Sequence, residues 1–307
     1  MGSAGTFRLF QVRGITVFLH WSWFLVAVIE IQQRSRQYTS LLWNVLEYLV
    51  LFGLVLAHEF GHVLACRQVG GQADRILLWP LGGVAIVNPP PRPGATLWSI
   101  AAGPLVNVVL IPVFFVLGLW LRSADLHHIW PNVYALLRAV AWINLMLLVF
   151  NLLPVYPLDG GQILRSLLWY PFGRATSLLV ATIIGFVGVL GVVVLAVLMQ
   201  SIWTGVVAVF ILLSCWGGLQ QALALARMAK LPRRAGFACP DCGTRPPVGA
   251  GWVCDKCHTQ FDTFETRAMC PSCGQVFGAT RCVDCGRSHS LAEWTVAPPS
   301  LPGQVRG

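Results

Sequence analysis

Apolar residues run unbroken, or nearly so, through six stretches of the chain: 15–31, 41–65, 97–121, 133–153, 177–198 and 202–225. Each approaches the roughly 20 residues a helix needs to cross a bilayer, so the pattern predicts about six transmembrane helices. No charged residue lies between Arg174 and Arg227, an interval that accommodates two spans joined by a turn near Gln200 and Ser201. Between the second and third stretches, residues 76–87 are apolar but broken by Pro80 and by Gly82-Gly83. Such a segment predicts two short strands around a turn, closed off by Pro89-Pro90-Pro91. The first stretch has no small-residue cleavage site and reads as a retained anchor. The apolar pattern stops at Leu231-Pro232-Arg233-Arg234. Three regions are therefore expected: a membrane domain over 1–230, a cysteine-rich domain over 237–293 and a disordered tail over 294–307.

Hydrophobic residues make up 56% and charged residues 11% of the chain, with a mean hydropathy of +0.68. Soluble proteins average about 25% charged, so an ordinary soluble enzyme is excluded. The expected class is an α-helical polytopic membrane protein with a small C-terminal zinc-ribbon region. The net charge of +9 reads first as a topology signal. With the amino terminus inside, Arg8, Arg13, Arg67, Arg75, Arg92, Arg165, Arg174, Arg227, Lys230, Arg233 and Arg234 fall on the cytoplasmic side. Only Arg34, Arg36 and Arg122 fall outside, with Arg138 near enough to its helix end to snorkel outward. Both termini are expected in the cytoplasm, and the positive surplus points to anionic membrane lipid before nucleic acid.

His58-Glu59-Phe60-Gly61-His62 closes an apolar run free of charge from Tyr48 to Ala57. On a helix, residues four apart share a face, so both imidazoles can bind one Zn²⁺ while Glu59 reaches a water beside it. A third ligand is then required. Asp159, in Asn151-Leu152-Leu153-Pro154-Val155-Tyr156-Pro157-Leu158-Asp159-Gly160-Gly161, follows the fourth stretch directly. One crossing separates the second and fourth spans, so their carboxyl ends lie on the same side and Asp159 can meet His58 and His62. Its competing reading is a helix N-cap.

These pieces, with Gly103-Pro104-Leu105-Val106-Asn107 and the segment from Gly14 to Trp21, resemble the site-2 protease family of intramembrane zinc metalloproteases, in its six-span branch without a PDZ insertion. The resemblance covers most of residues 14–170. It implies a Zn²⁺ held by His58, His62 and Asp159, with Glu59 as general base. It also implies a single-span membrane protein as substrate and a prokaryotic plasma membrane as location. Asn107 becomes a candidate to bind the substrate or its oxyanion, against a plain interhelical hydrogen bond. Gly82 and Gly83 are candidates for substrate binding because an exposed strand edge can clamp an extended peptide. The chief alternative is a catalytically inactive scaffold that recruits partners.

Cys239-x-x-Cys242, Cys254-x-x-Cys257, Cys270-x-x-Cys273 and Cys282-x-x-Cys285 predict two structural zinc sites, against disulfides in an oxidising compartment. Pairing in chain order is expected, the first two units on one ion and the last two on the other; interleaved pairing stays open. One catalytic and two structural zinc ions are thus expected. Arg245, Lys256, Arg267, Arg281 and Arg287 leave protein and nucleic acid open as ribbon partners, but interspersed acidic residues favour a cytoplasmic protein.

Overall fold

The computed structural model describes residues 5–33, 38–79 and 82–295, in two compact units that divide between Gln221 and Ala222. The first unit opens with β1 (Thr6–Val12), β2 (Ile15–His20) and α1 (Ser22–Gln33), followed by α2 (Leu41–Gln68). A second strand pair, β3 (Gln72–Trp79) and β4 (Gly82–Asn88), leads into α3 (Pro93–Ser123), the one-turn α4 (Leu126–Ile129) and α5 (Pro131–Leu152). Helices α6 (Asp159–Leu198) and α7 (Ile202–Lys230) complete the helical part. Among the described residues, five helices are long and apolar enough to cross a membrane: α2, α3, α5, α6 and α7.

The predicted first span, 15–31, is corrected. Its first six residues form β2, and helix begins only at Ser22. Ile15, Val17 and Leu19 alternate inward, a period of two that the apolar run into α1 concealed. The strand and α1 lie alongside α2. Arg67 donates to the carbonyls of Arg13 and Gly14, whereas Tyr48, about five turns earlier in α2, donates to the carbonyl of Trp23.

The strand pair expected over 76–87 is present and longer than expected, and it joins the first pair in one sheet of order β1-β2-β3-β4. Only β2 and β3 are parallel. One face of the sheet, carrying Ile15, Val17, Ala73, Ile76 and Leu78, packs on Val55, Val63 and Cys66 of α2. β4 lies at the end of the strand order, beside the middle of α2.

Polarity in this unit is inverted relative to a water-soluble core. Asn107, Asn144, Ser177 and Thr182 are fully buried, whereas Phe115, Val187 and Leu198 are 64%, 68% and 76% exposed. Lipid satisfies the apolar exterior, and polar groups find partners between the helices. Helices α2 and α3 approach closely at Gly61, where a Cβ would stand 2.6 Å from the Ala102 carbonyl oxygen. The 40-residue α6 is broken at Gly173 (φ 77, ψ 173), so its predicted span over 177–198 is the second of two helical pieces.

The second unit is built from two-residue strands: β5 (Trp252–Val253) with β6 (Gln260–Phe261), and β7 (Thr280–Arg281) with β8 (Ser288–His289). The short helix α8 (Leu291–Trp294) closes it. Trp294 is buried against Phe264, and its carbonyl accepts the Ala238 N–H at 2.8 Å. Residues 294 and 295, expected in the tail, belong to the unit instead, because this indole is part of its core and Thr295 pairs with Phe237. The rest of the expected tail, 296–307, lies outside the described residues.

Candidate active site

The two histidines stand one turn apart on α2, in a stretch, 56–62, free of proline and β-branched residues. Asp159 reaches them from the first position of α6. Pro154 and Pro157 cannot continue α5, and the loop they form folds back over the start of α6. Gly160 permits this, since a Cβ there would stand 2.3 Å from the Leu152 carbonyl oxygen. His58 Nε2 lies 3.0 Å and His62 Nε2 3.3 Å from Asp159 Oδ2, and the two Nε2 atoms are 3.2 Å apart.

The opposite ring nitrogens settle which way the imidazoles face. His62 Nδ1 donates to the Ser99 carbonyl at 2.9 Å, and His58 Nδ1 donates to Asn107 Oδ1 at 2.6 Å. Asn107 Nδ2 in turn donates to Asn144 Oδ1 at 2.8 Å, which leaves Asn107 Oδ1 as the acceptor toward His58. With both protons on Nδ1, each Nε2 turns a lone pair toward the other ring and toward the carboxylate. Three acceptors so close repel one another unless a cation or a shared proton lies among them.

Zinc fits this donor set. Nitrogen and oxygen ligands at about 2.0–2.1 Å in a tetrahedron stand about 3.3 Å apart, close to the spacings found. The wall of α3 also leaves room. A Cβ on Gly103 would lie 2.3 Å from His62 Nε2 and 2.8 Å from His58 Nε2, so any side chain there would fill the space a metal needs.

Glu59 is held by the sheet. Its Oε2 accepts the Ala85 N–H of β4 at 2.7 Å, and a Cβ on Gly83 would come within 2.3 Å of its Cγ. Gly83 therefore bears on this site through its missing side chain. A Cβ on Gly82 would meet nothing within 4 Å, and its φ of +137° starts the strand in a conformation that favours glycine.

Asn107, expected as a candidate to bind the substrate or its oxyanion, lies in a buried network between the helices. It is 0% exposed, and both ends of its amide are engaged, one by His58 and one by Asn144. The interhelical hydrogen bond weighed against that role is present. Sequence reasoning missed Asn144, which also donates to the Asn107 carbonyl at 3.0 Å. A lone amide in an apolar span was the available signal, because such a group needs a partner. Ser99 and Ala85 contribute backbone groups, which leave no mark in the sequence.

The cysteines form two tetrads, but not in chain order. Cys239 and Cys242 meet Cys282 and Cys285, while Cys254 and Cys257 meet Cys270 and Cys273. The expected sequential pairing is thus corrected to a nested one. The hydrogen bond from Ala238 to Trp294 and the packing of Cys239 with Cys282, Phe264 and Trp294 bring the outer units together. Phe261 packs with Cys254 and Cys270 in the inner site. Sulfur pairs at 3.5 and 3.8 Å in the outer site, and 3.6 and 3.5 Å in the inner, match the roughly 3.8 Å edge of a Zn–S tetrahedron. Within the inner tetrad the thiols resist ionising together. Hydrogen bonds from Thr259 pull Cys257 down to about 6; Cys273, despite the Gln275 N–H, is held up at about 12 by desolvation and by the Cys257 thiol. A divalent cation removes that conflict.

Comparison with known proteins follows the same residues. The profile of Peptidase family M50 matches residues 47–129 and 123–195. A zinc metalloprotease of Methanocaldococcus jannaschii is 37% identical over 178 residues, 58% of this chain and 50% of that protein. Stage IV sporulation protein FB of Bacillus subtilis is 32% identical over 177 residues, 56% of this chain and 58% of that protein. The chain thus spans between half and three-fifths of the length of these curated relatives. The solved structure of the site-2 protease from Methanocaldococcus jannaschii superposes with a TM-score of 0.53 at 31% identity, covering 70% of this chain and 95% of that one.

Proposed function

The chain belongs to peptidase family M50, the site-2 proteases, and on that premise we propose that it is an intramembrane zinc endopeptidase cleaving a transmembrane segment of a membrane-tethered regulatory protein. The observation that carries this reading is the convergence of His58, His62 and Asp159, from helices about a hundred residues apart in the chain, around one metal-sized space. In this reading those three hold the catalytic zinc, which when bound supplies Lewis acidity to a water and to the scissile carbonyl. Ser99 and Asn107 keep the imidazole lone pairs aimed at it. Glu59 takes a proton from the attacking water and delivers it to the leaving amine.

A helical substrate hides its peptide bonds, so cleavage needs local unwinding. β4 supports a route for this, since a strand running beside it would pass Ala85 and Glu59. Substrates with Gly, Pro or Asn near the scissile bond are favoured, because those residues weaken a helix. Arg227 and Lys230 at the end of α7 support a cytoplasmic carboxyl terminus, and Arg67, at the end of α2 on the same side by the count of crossings, binds the Arg13 and Gly14 carbonyls, which supports that side for the amino terminus too. Two further zinc ions in the cysteine tetrads would hold a unit that recruits a cytoplasmic protein. Arg233, Arg234 and Arg287 there are already paired with Asp284, Asp262 and Asp241, which lowers the case for nucleic acid.

The test is co-expression with candidate single-span proteins, with products of the wild type and of Glu59→Gln compared by mass spectrometry. Discrete fragments that vanish in the variant are expected. Identical fragment sets from both would overturn the assignment.

A further inference from the structure

A second site lies between α3 and α5, away from the histidines. It is a groove of about 700 Å³ lined by Ile111, Phe115, Trp142 and Leu145 and bearing Arg122, Arg138 and Tyr134. This volume is within the range of small-molecule sites, roughly 300–1,000 Å³. The two guanidiniums are its unusual feature. Neither makes a side-chain hydrogen bond or ion pair among the described residues, and both are exposed on the unit. Arg122 ends α3, where the helix dipole favours a cation. Arg138 lies deeper and has to snorkel to bring its charge out of the apolar layer. It lies seven residues inside α5, about 10 Å along a helix just long enough to span a bilayer, where an unpaired charge is costly. The nearest carboxylate in sequence, Asp125, faces His127 and His128 at 3.7 and 3.8 Å instead.

We propose that this groove binds an anionic phospholipid of the surrounding bilayer, its phosphodiester on Arg122 and Arg138 and an acyl chain along Phe115, Trp142 and Leu145. Charge complementarity selects the occupant: two unpaired cations above an apolar trough match a molecule with one anionic end and a long apolar one. A zwitterionic lipid offers the same chain but a weaker net attraction, and a soluble phosphate offers the charge without the chain. The lower end of the trough lies close to the buried amides: Ile111 is one turn beyond Asn107 on α3, and Leu145 directly follows Asn144 on α5. The lipid would therefore fill the space next to the network that orients His58.

The experiment uses the purified full-length chain, titrated with phosphatidylglycerol or phosphatidylcholine and read by native mass spectrometry, with glycerol phosphate as a soluble competitor. Phosphatidylglycerol is expected to be retained preferentially, and the double variant Arg122→Gln, Arg138→Gln should weaken it about thirtyfold, a factor near five for each arginine. Gly118, on α3, also lines the trough, and Gly118→Leu, which narrows it and leaves both charges, should weaken retention too, with thermal melting confirming that each variant is folded. Equal retention of the two lipids would overturn the proposal. So would full retention by the folded double variant, or displacement by glycerol phosphate, which would mark a site for free anions.

Discussion

The helical unit and the cysteine-rich unit each bring donors to tetrahedral spacing, by opposite routes. In the helical unit, long apolar helices carry the donors, and a buried chain of hydrogen bonds from Asn144 through Asn107 orients His58 before any ion arrives. In the cysteine-rich unit the strands are two residues long, and the sulfurs themselves form much of the small core. The first fold makes its site; the second, with so small a core, is expected to need its ions to make the fold. That difference separates what metal removal does to each.

The largest effect expected is on the cysteine-rich unit. Stripping metal from the full chain with a chelator should remove about 10–16 kcal/mol of apparent binding energy per structural ion. The near-ultraviolet signal of Trp252 and Trp294 should collapse while the far-ultraviolet helical signal persists; simultaneous loss of both would break the comparison. Next in size, Glu59→Gln should lower cleavage about 10²–10⁴-fold without changing metal content, measured by turnover and elemental analysis on one sample. Gly103→Ala sharpens the contrast further, because its methyl group takes the metal's place. Elemental analysis should then show loss of the helical unit's zinc with the cysteine-bound zinc retained. The smallest change expected is for Asn144→Leu, which leaves Asn107 Nδ2 unpaired and frees His58 to turn. Competition with a chelator should show zinc affinity down by about 10–100-fold, with the helices intact.

Much of this was legible along the chain. The five later spans and the strand pair over 76–87 rest on local patterns, runs of apolar residues and Pro and Gly breaks, and the joint use of His58, His62 and Asp159 as a candidate site on a spacing of four and the count of crossings. β2 was not legible, since six alternating residues leading into an apolar helix look like more helix. The role of Asn107 was open because an amide can serve a substrate or a neighbour equally well until its partners are known.

Composition and spacing were enough to settle class, every span but the first and the chemical identity of the candidate donors, because those properties depend on residues close together in the chain. Which cysteine pairs share an ion, which amide aims a histidine and which glycine keeps a metal's space open were matters of packing. Each depends on segments distant in sequence being pressed together, as when Trp294 closes onto Ala238, and nothing in the local pattern of either segment specifies the other.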